Sequence, residues 1–582
     1  MDTAAYARDA LSRGDLIGAY DATVAAIQAG DESGEIRHLQ ILALARMGDT
    51  ERAMNLFGAY GLDHSADAHE RAVGARLLKD RALELEQGEA RTHALKAAHD
   101  AYHAIYLDSR DPFPGINAAT LALLAGEEND ARALAAALLD DPAVAAAEDY
   151  YSAVTRAEAL LILERDAEMT AQLREEPVRD CEDYGARSST LRQLAMVAGH
   201  RGLGEEAIHA VLAPLAPPRV AFFCGHIFRA DPEVEAALEA RIAAVLHEEQ
   251  VGFAYGALAA GADILFAEAV LARGLELHVI LPFAEEDFLA QSVVPGGGEW
   301  LARYQACRDR AASVTYASDI AYFGDPAQYG YASRMAMGLA RLRAHHLLAE
   351  PVQLALWDGK PASGPAGTGA DVAAWRGRGG RTVVIDSGAV DRGVKRAAPR
   401  VLSPYERTLA AILFTDFAGF STLAETALPA FWDGVMRRVS EVLDAHQGEV
   451  ACRNSWGDAL YAVMPDAPAA ATIALDLQDA LATYDYATLG LDGEGGMRIG
   501  VHYGPAYRTI DHITDRITYY GTEVSKAARI EPVTPPGAVF VTEPFAAILA
   551  LEAGRAFVCR YVGRIPLAKK YGDYPMYRLT RA

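Results

Sequence analysis

From residue 1 to about 205, Ala and Leu recur at helical spacing among Glu and Arg, with little strand signal, and this predicts helices throughout. ALSRGDLIGAYD (Ala10–Asp21) returns as ALARMGDTERAM (Ala43–Met54), with Gly14 and Gly48 34 residues apart, the spacing of stacked helix-turn-helix repeats. A turn of similar type, LLAGEENDARAL (Leu123–Leu134), lies off that register. After LAPP (Leu215–Pro218) the pattern changes. Apolar runs (RVAFFCGHIF, VGFAYGAL, LELHVILPF, SVTYAS, VQLALWDG, RTVVIDS) alternate with helical stretches, which predicts a doubly wound parallel sheet over 219–386. Its glycine-bearing strand ends, CGHIF, YGALAAGAD and WDGKPASGPAGTGAD, fall at the carboxyl edge, where such sheets bind ligands. His226, in the first of these, is expected to be a hydrogen-bonded loop residue. Residues 387–404 are basic, small and aperiodic, and predict a linker.

Beyond it, ILFTDFAGFS (Ile412–Ser421) is an apolar run that ends on a carboxylate and passes into a small-residue turn, so a buried strand should deliver Asp416 to a sheet edge. Gly419 would let the backbone approach a ligand. NSWGD (Asn454–Asp458) follows, its Asp458 42 residues after Asp416, and apolar-rich flanks predict a hairpin with Asp458 at the tip. Two carboxylates at adjacent strand ends suit Mg2+, which fills its other positions with water and substrate phosphates.

This pair resembles the metal-binding halves of the class III nucleotide cyclase catalytic domain, the family of adenylate and guanylate cyclases. RIGVHYGPA (Arg498–Ala506), YYGTEVSKAARIE (Tyr519–Glu531) and a late Lys569 before YPMYRL follow in the family's order, so the likeness spans the 405–582 domain. The resemblance implies an α+β, ferredoxin-like catalytic domain that closes a 3′,5′-cyclic nucleotide from a nucleoside triphosphate with two divalent cations, Mg2+ or Mn2+. Asp416, Asp458 and the Phe417 carbonyl would hold the metals, and backbone N–H groups of Phe417, Gly419 and Phe420, entering the following helix, would hold phosphate. Arg529 matches the transition-state arginine and Lys569 the triphosphate lysine, with Lys570 the alternative. Ser525, four residues before Arg529 and expected on the same helix face, stands where the family has its ribose-orienting asparagine. These groups reach across a head-to-tail dimer in the family, so a homodimer is implied. The base-recognition lysine is replaced by Asn454 and the base-recognition aspartate by Thr518, which leaves the base open. ATP is the first expectation, and UTP or CTP, as in antiphage signalling systems, the alternative.

The helical region resembles tetratricopeptide arrays and implies either a protein partner or a scaffold. YGALAAGADILFAEA resembles SLOG, a Rossmann-like nucleotide-sensing group, and implies a nucleotide-like ligand on the central domain. That group's hydrolase motif is absent, since Pro295–Trp300 reads PGGGEW. The expected class is therefore a multidomain α and α/β protein: repeats over 1–205, a Rossmann-like domain over 219–386, and the cyclase domain.

A formal charge of −25, from 79 acidic and 54 basic side chains, argues against nucleic acid and anionic membranes as partners. Five scattered cysteines without a CxxC indicate neither a disulfide framework nor a zinc site. With no apolar run long enough to span a bilayer, a cytoplasmic protein is expected. Two other readings stay open: a catalytically degenerate nucleotide-binding receptor, and nucleotide hydrolysis by the central domain.

Overall fold

The computed structural model describes the chain apart from residues 1, 147, 230, 363, 389, 397, 400–404, 406 and 492–494. The chain divides into two compact units, residues 1–217 with 345–349, and residues 218–344 with 350–582.

The first unit is helical, as its periodicity predicts. Thr3–Ser12 pairs with Leu16–Gln28 and Gly34–Arg46 with Thr50–Ala59. The repeated glycines Gly14 and Gly48 close the two equivalent turns at φ +71° and +79°, a region where any side chain is strained. Helices continue to Leu212, past the expected limit of 205.

The second unit holds two sheets. In the central one, β1 (Arg219–Gly225), β2 (Val251–Gly256), β3 (Glu276–Leu281), β4 (Ser313–Tyr316), β5 (Pro351–Trp357) and β6 (Thr382–Asp386) lie parallel in the order β4-β3-β2-β1-β5-β6. Helices cover both faces, so β1, β2 and β5 read as nearly continuous apolar runs instead of alternating ones. The order reverses between β1 and β5, so a crevice opens beyond their carboxyl ends.

The second sheet is mixed. Its strands are β7 (Arg407–Ala418), β8 (Cys452–Trp456), β9 (Ala459–Met464), β10 (Gly496–Ile510), β11 (Ile517–Tyr520), β12 (Val539–Thr542), β13 (Phe557–Pro566) and β14 (Asp573–Arg581). They run in the order β13-β14-β12-β10-β7-β9-β8, with β11 added to the end of β10. Along β7 the side chains alternate. Ala410 and Ile412 are buried, with Phe414 packed against them, in a cluster that includes Val524 and Ala527 of the helix Thr522–Ala527. Asp416 is the next residue on that face.

The two halves of this unit touch. The long helix Ala327–Leu347, which lies between β4 and β5, sends the Tyr331 hydroxyl to the Tyr503 carbonyl on β10 at 2.9 Å, and Arg341 to the Leu551 carbonyl at 3.1 Å.

Candidate functional site

β7 and the β8–β9 hairpin are adjacent antiparallel partners, and they bring Asp416 and Asp458 to one edge. Gly457, at φ +62°, opens the two-residue turn between Trp456 and Ala459, as a type II′ hairpin requires, and puts Asp458 at the tip. The Phe417 N–H donates to Asp458 Oδ2 at 3.2 Å, tying the hairpin tip to the strand end. Both carboxyls are half-buried and within hydrogen-bonding reach of each other. Burial first, then the charge of Asp416, pushes the Asp458 carboxyl above the usual range. Two carboxylates held this close repel unless a cation sits between them.

Two further residues, not foreseen from the sequence, stand at the same place. Arg498 lies directly opposite Asp416 in the β10–β7 register, and its buried Nε has no hydrogen-bond partner. Glu531 feels Asp416, Arg498 and Asp458, and burial together with the two aspartates raises it to about 7. Gly500 gives the turn bearing Glu531 its room, since a Cβ there would lie 2.7 Å from Glu531 N. Among the described residues no cluster of three or more His, Cys, Asp or Glu has metal-ligand geometry. The residues that could hold a cation are the expected ones, Asp416, Asp458 and the Phe417 carbonyl, with further positions left to substrate oxygens. A hard divalent ion with one or two protein carboxylates fits them.

Two expectations need correction. The turn expected to bind phosphate does not pass straight into a helix: Gly419 at φ +88° leads into a 3-10 turn, Phe420–Thr422, and the α-helix begins only at Leu428. Arg529 is not on the helix that carries Ser525. That helix ends at Ala527, and Arg529 N instead bonds back three residues to Lys526 O at 2.9 Å. The chain leaves α-helical geometry at Ala528 and tightens into a 3-10 turn, Glu531–Val533, with Pro532 in its first turn.

Arg529 and Lys569 come from separate segments that meet where Ala568 N donates to Arg529 O at 3.4 Å. Lys569 and Lys570 are exposed, in a short turn where both have positive φ. Ser525 is exposed and Arg529 half-buried. None of the hydrogen bonds or ion pairs among the described residues joins Arg529 or Lys569 to Asp416 or Asp458. Asn454 is exposed on β8 and Thr518 half-buried on β11. Cys452 Sγ donates to Ile517 O at 3.2 Å and the Tyr461 hydroxyl to Tyr519 O at 2.9 Å, holding the two base-facing candidates on neighbouring strands.

Behind the Thr522–Ala527 helix lies a buried polar latch. Glu523, 1% exposed, accepts from His502 Nε2 at 2.7 Å and from Lys526 Nζ at 2.9 Å, while His502 Nδ1 pairs with Thr542 Oγ1 at 2.7 Å. Burial opposes the Glu523 charge, but the imidazole and the ammonium outweigh it and hold the carboxyl at about 2. Desolvation keeps His502 below its ordinary value, hence a neutral donor.

A sheet whose central strand and neighbouring hairpin converge on two carboxylates has the layout of a class III nucleotidyl cyclase catalytic domain. Residues 403–580 match the family of adenylate and guanylate cyclase catalytic domains, and residues 17–122 match the Tetratricopeptide Repeats-Sensor family. The chain thus carries a nucleotidyl cyclase domain together with a tetratricopeptide-like array. Among solved structures it is similar to the adenylyl cyclase CyaB from P. aeruginosa, with 17% identity, 31% of this chain and 97% of that one covered, and a TM-score of 0.27. The guanylate cyclase domain of RhGC from Catenaria anguillulae, in complex with GTP, is 20% identical over 30% of this chain and 97% of its own, with a TM-score of 0.26. Adenylate cyclases from Trypanosoma brucei in their monomeric state give 21%, 30%, 88% and 0.24. No curated protein matches the chain. No helix among the described residues is long and apolar enough to cross a membrane.

Proposed function

We propose that this protein converts a nucleoside triphosphate, ATP first, to its 3′,5′-cyclic nucleotide and pyrophosphate, and that it does so as a homodimer. The observation that carries the reading is the meeting of Asp416 and Asp458 beside an Arg498 whose buried Nε has no acceptor.

Asp416, Asp458 and the Phe417 carbonyl would hold divalent cations, Mg2+ or Mn2+. When bound, such ions lower the pKa of the attacking hydroxyl and neutralise triphosphate charge. Arg498 Nε is free to donate to a phosphate oxygen, and the backbone N–H groups of Gly419 and Phe420 lie along the turn that follows β7, while the Phe417 N–H expected to join them is already given to Asp458 Oδ2. Arg529 would stabilise charge building on the α-phosphoryl group, with Lys569, or Lys570, on the leaving pyrophosphate. Ser525 would orient the ribose, through a water because its side chain is short. Asn454 and Thr518 would read the base edge by uncharged hydrogen bonds.

A dimer is supported by the apolar side chains that the domain leaves in solvent: Trp456 at the hairpin tip is 88% exposed, Ile513 93% and Ile510 51%. Large apolar side chains left this bare suit a partner's surface. A second copy would also bring its Arg529 and Lys569 to the carboxylates, which lack them within one chain. The neutral pair Asn454 and Thr518 favours a second reading, a pyrimidine cyclase, because no charged group there selects adenine. The helical array is read as a protein-docking surface.

The test is to incubate the full chain separately with ATP, GTP, CTP and UTP in Mn2+ and to analyse the products by mass. One cyclic product is expected, abolished by Asp458→Asn. No cyclic product from any of the four sinks the proposal.

A further inference from the structure

At the carboxyl edge of the central sheet, where the strand order reverses between β1 and β5, lies a cavity of about 590 Å3. Its size is that of a site for one small molecule. The walls are apolar and aromatic, with Phe222, Phe288, Tyr322 and Tyr329 among them. The mouth is cationic. Lys360, Arg392 and Arg396 all line it, against a single carboxylate, Asp358, which already takes Arg392 at 2.8 Å and Lys360 at 3.3 Å. Arg396 lies over the Tyr329 ring at 5.7 Å and has no ion pair among the described residues. In a chain of formal charge −25, a surplus of positive charge around an opening is an anion-binding arrangement. The floor is different. Asp263 and Asp371 are each raised to about 7 by burial, so near neutral pH a large share of each is protonated and can donate a hydrogen bond. A ligand with an anionic end and an uncharged polar end fits both.

Two of the cations belong to the stretch expected to be a plain linker, whose residues 389, 397 and 400–404 lie outside the described residues. Residues 390–396 cross the sheet edge as a strap. Asp391 O accepts from Arg229 N at 2.9 Å, Val390 packs on the domain core, and Val394 joins the cavity wall. The same strap leads into β7, the strand that bears Asp416.

A second connection runs through the Ala327–Leu347 helix. Tyr329, Ala332 and Ser333 face the cavity, while Tyr331 docks on β10. Asp325 caps this helix, accepting from Ala327 N at 2.9 Å, and lies 3.3 Å from Arg407, the first residue of β7. Arg407 is 8% exposed, yet its Nε and Nη2 lack hydrogen-bond acceptors, so this buried contact is under-satisfied. An imperfect buried pair between two domains is a natural place for a repacking step.

We propose that this cavity binds a small phosphate-bearing molecule through Arg392, Arg396 and Lys360, and that its occupancy is passed to β7 by the Ala327–Leu347 helix and its Asp325–Arg407 contact. The regulatory half rests on the cyclase reading above. Nucleotides and sugar phosphates share the required chemistry.

The test uses the full chain in EDTA, which silences metal-dependent triphosphate binding. AMP, ribose 5-phosphate and inorganic phosphate are titrated by calorimetry. The expected result is one site per chain for AMP or ribose 5-phosphate, weakened at least tenfold by Arg396→Ala and unchanged by Asp416→Asn. AMP alone points to a nucleotide, and equal binding of ribose 5-phosphate to a sugar phosphate. No binding of the three at millimolar concentration overturns the site, as does inorganic phosphate binding as tightly as the others, or binding lost in Asp416→Asn and kept in Arg396→Ala. Transmission is read by amide exchange over residues 407–418. The bound probe should slow or speed it at least threefold, and Asp325→Asn should keep binding and lose that response. Exchange that ignores the probe in the unmodified chain overturns the transmission. Neither readout needs turnover, so a chain that makes no cyclic product removes the cyclase reading while these measurements still judge the cavity.

Discussion

Glu523→Gln is the sharpest test of how the second half of the catalytic set is held. Glu523 Oε2 takes both donors, His502 and Lys526, while Oε1 is buried without a partner. A glutamine can place its amide oxygen at the Oε2 position and keep both hydrogen bonds, so the substitution removes charge and little else. Lys526, 9% exposed at its side chain, then keeps a buried ammonium with only the weaker attraction of Asp319 and the Tyr574 ring. Removing one partner of a buried ion pair costs about 3–5 kcal/mol. The lysine has an escape, which is to release its proton. At about pH 7.5, some three units below its ordinary 10.5, that costs about 4 kcal/mol, so the loss is bounded near 3–4 kcal/mol. Amide exchange of residues 522–527 should then accelerate by about 150- to 900-fold, relative to the unmodified chain. The pH dependence separates this cause from a packing defect. In the variant, the folded lysine gives up its proton well below pH 10.5 while the unfolded one keeps it, so the unfolded state binds more protons and stability rises with pH. Between about pH 7.5 and 9.5 the gap from the unmodified chain should close by about 1.5–2.7 kcal/mol, the lower and upper ends of the loss. A gap that stays constant over that range refutes the reasoning.

Trp456→Ser removes an exposed indole from the hairpin tip; sedimentation should show the dimer weakened by at least tenfold and product formation falling with it, while the melting temperature barely moves. Asp263→Asn should stabilise the central domain above about pH 7 and lose that advantage near pH 4, because a carboxyl raised from 3.8 to about 7 in the fold makes the unmodified chain less stable as pH climbs through that window; thermal melts across pH check it. Gly338→Ala puts a Cβ into the Ala547 carbonyl at the junction between the long helix and the Glu543–Glu552 helix, and limited proteolysis should cut that junction at least several-fold faster, with an unchanged rate as the contrary result.

The parallel sheet and the placement of the two carboxylates were legible because each is a local pattern: an unbroken apolar run for a strand buried on both faces, a carboxylate ending such a run, a Gly-Asp between two strands. What escaped the reading depends on pairing across distance. Arg498 begins an apolar strand, and only its register against β7 sets it opposite Asp416. The signal was present in the alternation of Arg498, Gly500, His502 and Gly504, a polar and small face on an otherwise apolar strand, but nothing local says what such a face meets. It meets the Thr522–Ala527 helix and the turn after it, where Glu523 packs against Gly504 and Glu531 against Gly500. Arg529 was assigned to that helix by its spacing, but the α-helix ends at Ala527 and the chain passes on into a 3-10 turn, Glu531–Val533. The strap shows the same rule from the other side. Its basic, small residues satisfy every local criterion for a solvated linker, yet Arg392 finds Asp358, Asp391 finds Arg229 and Arg396 finds Tyr329, all from earlier in the chain. Charge without periodicity says that a segment cannot form its own core. It does not say that the segment is unbound, and here it lines the wall of a cavity while leading into the strand that carries Asp416.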